Sequence, residues 1–144
     1  MKAIDLQLLQ ECQAHGHAQR IPYVWDAKPD PSLRTDQITG SDCSGWLRYL
    51  LGRQGNELPE GSQEQMEWLK DQGLTESSDY PAVATGSGLW ACFALDLRSE
   101  GGHPGHVWLL YQGQSMECCA GRGVTSRHWN TPVLRRSFLV AYRL

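Results

Sequence analysis

The chain has 144 residues, 40% of them hydrophobic and 20% charged, with a formal net charge of −3. That length suits one domain spanning residues 1–144 and burying roughly two-thirds of its unfolded surface around a single core. The acidic balance excludes nucleic acid as the default partner, because phosphate binding shows as a basic excess and Arg135-Arg136 is too small a patch to change that.

No stretch approaches the roughly 18 apolar residues of a membrane span. At the N-terminus, Asp5 and the glutamines up to Gln10 interrupt the apolar residues, which is not the pattern of a secretory signal. The expectation is a monomer made in the cytoplasm without a signal peptide and reaching its target by other machinery.

Leu6, Leu9 and Cys12 share a helical face, so a first helix is expected over 3–15 with Gly16 as its stop. Ile21-Pro22-Tyr23-Val24-Trp25 reads as extended, and a Pro-, Asp-, Ser- and Thr-rich loop runs from Asp26 to Gly40. A second helix begins at Ser41 or Asp42 and carries the apolar stripe Trp46, Leu47, Leu50 and Leu51 as far as Gly52 and Gly55. Ser62-Gln63-Glu64-Gln65 has the form of a capping box, opening a third helix that ends near Gly73.

The second half changes period. Leu89–Leu97, Val107–Tyr111, Ser115–Cys119 and Leu139–Leu144 read as short strands, with Gln112-Gly113-Gln114 a hairpin turn between two of them. Helices first and an antiparallel sheet second make an α+β domain.

The cysteines are Cys12, Cys43, Cys92, Cys118 and Cys119, an odd set without regular spacing and therefore free thiols rather than a disulfide framework. Cys43 stands where the polar loop gives way to a helix. Unpaired N–H groups and the helix dipole stabilise a thiolate there, and the same N–H groups can hold an oxyanion. A buried structural cysteine is the alternative.

His106 opens the apolar run Val107–Tyr111 directly after a glycine-rich stretch. A histidine so placed can take a thiol proton and return it to a leaving amine. A third polar group must orient its ring, and the following strand offers Glu117. His103 is the competing base, though its place before Pro104 suggests the rim. Cys12, His15 and His17 lack the spacing of a structural zinc site, so no metal is expected. Trp46 and Trp68 fall at helical core positions, whereas Trp25 and Trp108 flank the candidate segments as cleft walls or core. Glu57, Glu60, Glu64 and Glu67 read as a solvated face, not as paired glycosidase carboxylates.

Taken in order, these residues form a specific pattern. Ile21-Pro22-Tyr23, then Ser41-Asp42-Cys43-Ser44-Gly45-Trp46, then Leu58-Pro59 with Ser62 and Gln65, then Gly105-His106-Val107 and Met116-Glu117 resemble the NlpC/P60 peptidases over about residues 20 to 130. The resemblance implies a papain-like α+β fold and a cofactor-free cysteine endopeptidase that cuts peptidoglycan stem peptides. In it Cys43 is the nucleophile, His106 the base and Glu117 the orienting residue. It also implies that Tyr23, Asp42 and Ser44 line the nucleophile pocket, where some members use these positions to recognise a free amino terminus.

The chain departs from the pattern in three places. The loop between Tyr23 and Cys43 is long, and Trp108 stands where a small residue is usual. Glu117 replaces the usual His, Asn or Gln, with Cys118 as the register alternative. Two rival functions share the fold: an acyltransferase or amidase acting on a lipid or protein amide, and a non-enzymatic phage structural domain. With no wall-binding module in view, a phage lysin, tail hydrolase or secreted effector acting on the wall or in the periplasm is expected.

Overall fold

The structure, a computed structural model, describes residues 1–96 and 104–144. His103 and Leu97, both named above, lie outside the described residues.

Helix α1 spans Leu6–Ala18, with the Asp5 carboxylate accepting the Leu8 N–H at its start. It thus begins three residues later than its periodicity suggests and runs through Gly16 instead of stopping there. The reason is packing. A Cβ on Gly16 would lie 2.7 Å from Cη2 of Trp46, so the glycine lets α1 close on helix α2, Cys43–Gly52. Trp46 is fully buried in that contact, donates to Gln13 Oε1 at 2.8 Å and stacks on Tyr49. Trp68 is only half-buried.

Helix α3 spans Ser62–Asp71, but the capping box does not form. Gly61 is its N-cap, and both box residues are used elsewhere. Ser62 Oγ donates to Pro104 O at 2.8 Å, tying α3 to the start of strand β3. Gln65 is fully buried and donates to Ser44 O at 2.9 Å and to Pro59 O at 3.0 Å.

The sheet is built from β1 (Glu76–Ser77), β2 (Leu89–Leu95), β3 (Pro104–Tyr111), β4 (Gln114–Cys119), β5 (Gly123–Thr125) and β6 (Phe138–Arg143). Its order is β1-β6-β2-β3-β4-β5 with antiparallel pairing, which establishes the α+β class. Short helices α4 (Tyr80–Thr85) and α5 (Pro132–Ser137), together with β1 and β5, are additional to the elements the patterns suggested.

Between β3 and β4 the turn is Gln112-Gly113, both at positive φ, which matches the mirror-image turn that tight hairpins favour. Alternation along β3 fills two cores. Val107 and Leu109 join Trp46, Leu50, Phe93 and Val124 on the side of α1 and α2; Trp108 and Leu110 join Tyr80, Trp90 and Leu134 beyond the sheet.

Candidate active site

Backbone pairing fixes the start of α2. Val24 N–H bonds to Ser41 O, Ser41 N–H to Pro22 O and Asp42 N–H to Ala27 O, all between 2.9 and 3.1 Å. Asp42 is the N-cap, its Oδ1 accepting the Gly45 N–H at 2.7 Å. Cys43 is therefore the first residue of the helix, and it is half-buried while the other four free cysteines are buried. Gln65 braces the same turn through Ser44 O.

His106 reaches this point from β3. Its Nε2 lies 2.9 Å from Oε1 of Glu117, which leaves Nδ1 as the nitrogen for the thiol. The ring stacks at 5.5 Å on Trp108, itself buried and edge-on to Tyr80, so it is held from behind as well as from the side. Burial pulls the imidazole's pKa down, but its contacts with the Cys43 sulfur and the Glu117 carboxylate outweigh that and raise it from 6.5 to about 9.

Glu117 is itself enclosed, with a fully buried side chain. Arg127 grips it with two donors, Nη2 to Oε1 at 2.5 Å and Nε to Oε2 at 3.1 Å, and Ser115 Oγ donates to Oε2. Arg127 N–H in turn donates to Ser115 Oγ at 2.8 Å. Burial raises the carboxyl's pKa; the hydrogen bonds from His106, Arg127 and Ser115 overcome it and hold it at about 2. Glu117 thus stays an anion. It can orient the ring and stabilise its charge without taking its proton. Cys118, the register alternative, points elsewhere, with its thiol 3.2 Å from Ser41 O.

Cys43 and His106 line one cleft of about 750 Å³, together with Tyr23, Asp42 and Ser44. Burial, with Cys43 and Asp42 nearby, pushes the Tyr23 phenol up to about 12, so it remains a hydroxyl donor. Trp25 stands 83% exposed at the rim, where Glu60 and Glu64 are also exposed. All six residues singled out from the sequence therefore gather around the cleft: five line it, and Glu117 lies behind His106.

Lys28, Ser115 and Arg127 were not singled out. Lys28 Nζ donates to Asp42 Oδ2 and lies 3.2 Å from Ser44 Oγ. Arg127 has no sequence signal of its own, lying ten residues from its partner in the segment that follows β5. The Cys12, His15 and His17 set does not converge: His17 Nδ1 meets Val124 O at 3.0 Å, and among the described residues no three metal-binding side chains cluster. His128 is exposed.

No family model and no curated protein matches this sequence. Solved structures do match. An NlpC/P60 family protein of Bacillus cereus ATCC 10987 superposes with a TM-score of 0.70 over 99% of this chain, at 19% identity. The chain has the NlpC/P60 fold. It spans 41% of the length of the Bacillus chain. Two Mycobacterium tuberculosis proteins share the NlpC/P60 fold over more of their own length. RipD, a non-catalytic NlpC/p60 domain protein adapted to peptidoglycan binding, matches with a TM-score of 0.57 and 21% identity over 96% of this chain and 98% of its own. RipB, a peptidoglycan hydrolase, matches with a TM-score of 0.54 and 20% identity over 97% of this chain and 68% of its own.

Proposed function

We propose that this protein is a cysteine endopeptidase that hydrolyses amide bonds in peptidoglycan stem peptides. The observation that carries the reading is the chain of contacts from the Cys43 sulfur through the His106 ring to the buried Glu117 carboxylate at the head of an open cleft.

In this mechanism the Cys43 thiolate attacks the scissile carbonyl carbon, and the developing oxyanion is held by the first N–H groups of α2, those of Cys43 and Ser44. These are donors that helix geometry leaves without an intrahelical partner. His106 then passes its proton from Nδ1 to the departing amine, leaving a thioester on Cys43. Water, deprotonated by the now neutral His106, attacks the thioester, releasing the carboxylic acid and restoring the thiol. Glu117 keeps Nε2 protonated and the ring in plane throughout, and Arg127 and Ser115 keep Glu117 in place. Tyr23, Asp42 and Ser44 form the substrate wall beside the nucleophile. No cofactor enters. A cell-wall or periplasmic site of action follows from the substrate class.

The likeness to RipD supports a second reading, a binding domain without catalysis. Release of fragments from sacculi separates the two. Under the peptidase reading iodoacetamide labels Cys43 fastest of the five cysteines, and Cys43→Ala abolishes release of soluble fragments from sacculi while leaving the fold intact. Full release by the alanine variant would end the cysteine-hydrolase reading.

A further inference from the structure

The carboxylate that precedes the nucleophile in the chain, Asp42, already has partners on both oxygens. Asp42 Oδ1 accepts the Gly45 N–H at 2.7 Å and faces Ser44 Oγ at 3.3 Å, while Oδ2 accepts from the Lys28 ammonium. Lys28 also donates to Ser44 Oγ at 3.2 Å and lies 3.7 Å from Asp26 Oδ1, so two hydrogen bonds and an ion pair hold its ammonium. The lysine side chain is 14% exposed and that of Asp42 8%.

Backbone geometry holds Lys28 there. Its segment is tied down through Asp42 N–H to Ala27 O at 2.9 Å and Ala27 N–H to Val24 O at 3.1 Å, and Asp26 takes a left-handed backbone conformation with φ +60. Gly45 is what permits the approach, because a Cβ at that position would lie 2.5 Å from Ala27 O. The long loop between Tyr23 and Cys43 thus delivers a cation onto the pocket wall.

A buried carboxylate flanked by a serine hydroxyl is the group a substrate's ammonium would seek beside Cys43. We propose that Lys28 permanently fills that ammonium position, so that the cleft selects stem peptides whose amino end is acylated, as it is while the peptide is still joined to glycan, over stem peptides with a free amino terminus. This rests on the stem-peptide reading of the cleft. A free amino terminus entering here meets a like charge already paired with the only buried carboxylate among the described residues lining the cleft. An acylated end brings no charge, and its carbonyl can accept from the Tyr23 hydroxyl on the same wall.

The test uses two stem peptides identical but for an N-terminal acetyl group, titrated by calorimetry at pH 7 onto the full chain carrying Cys43→Ala. The acetylated peptide is expected to bind at least tenfold more tightly. Adding Lys28→Ala, with folding checked by circular dichroism, is expected to shift that ratio at least tenfold toward the free amine. The unaltered Lys28 background decides the question even if the second variant does not fold. Equal binding, or tighter binding of the free amine with Lys28 present, overturns the selectivity and leaves the peptidase reading standing. Binding of neither peptide at millimolar concentration overturns both.

Discussion

Replacing Glu117 by Gln keeps the size of the side chain and an acceptor for Arg127 but removes the charge that faces His106. The ring's rise from 6.5 to about 9 corresponds to about 3 kcal/mol in favour of the imidazolium, at about 1.4 kcal/mol per tenfold. The Cys43 sulfur and the Glu117 carboxylate both work against burial to produce that rise, so loss of the carboxylate lowers the ring's pKa. Catalysis requires the proton on His106 for the leaving amine, so activity falls as pH climbs through the ring's pKa. The basic limb of kcat/KM is therefore expected near pH 9 in the unaltered protein and at lower pH in Glu117→Gln. Turnover should drop by about 10²-fold or more, with substrate affinity nearly unchanged, because the lost interaction strengthens only as charge develops on the ring. A pH–rate profile on a soluble stem peptide measures both, with thermal melts to confirm folding. Wild-type turnover with an unmoved basic limb would refute the orienting role of Glu117.

The remaining predictions concern stability. The Glu117 carboxyl is held at about 2 against an ordinary 4.5, so its contribution is fully present above pH 4.5 and is lost as pH falls through about 2. Melting temperature should drop across that window in the unaltered protein and much less in Glu117→Gln, and equal acid curves would contradict the buried pairing. The raised His106 contributes in the opposite sense, fully below pH 6.5 and lost as pH rises through about 9; the two share one contact and do not add. Gly16→Ala places a methyl 2.7 Å from a Trp46 ring already fixed by Gln13 and Tyr49. Overpacking of about 1–3 kcal/mol should outweigh a helix-propensity gain of about 1 kcal/mol, so urea unfolding is expected to show a net loss and a gain would contradict the packing.

The sequence was most legible where one residue type answers one local requirement. Asp42 caps α2 and Gln112-Gly113 forms the hairpin turn, so the second helix and the β3–β4 pair fall where their patterns lie. Legibility failed where a tertiary contact overrode the local rule. Gly16 reads as a helix stop, but it is a contact surface for Trp46 thirty residues on. Ser62 and Gln65 read as a capping box, yet each reaches out of its helix to brace the site, one holding the start of β3 and the other the first turn of α2. Their place in the sequence pattern has a physical cause that the helix alone does not supply.

The same limit governs the site. Cys43, His106 and Glu117 carry recognisable chemistry and come together in the structure. Lys28 and Arg127 matter through partners that only the fold brings within reach, Asp42 across a long loop and Glu117 across a strand pair. Short strands such as Glu76–Ser77 and Gly123–Thr125 hold too few residues to show a period and take their conformation from their neighbours.

The central claim is that this cleft breaks amide bonds through Cys43, and mass spectrometry of a sacculus digest tests it most directly. The described cleft pairs a thiol with an imidazole, whereas glycoside hydrolysis generally uses two carboxylates set across the scissile bond. The digest is expected to contain new free amino groups on peptide fragments, intact glycan strands and no new reducing ends, with none of these fragments formed by the Cys43→Ala variant. New reducing ends, or the same peptide fragments from the alanine variant, would contradict the account.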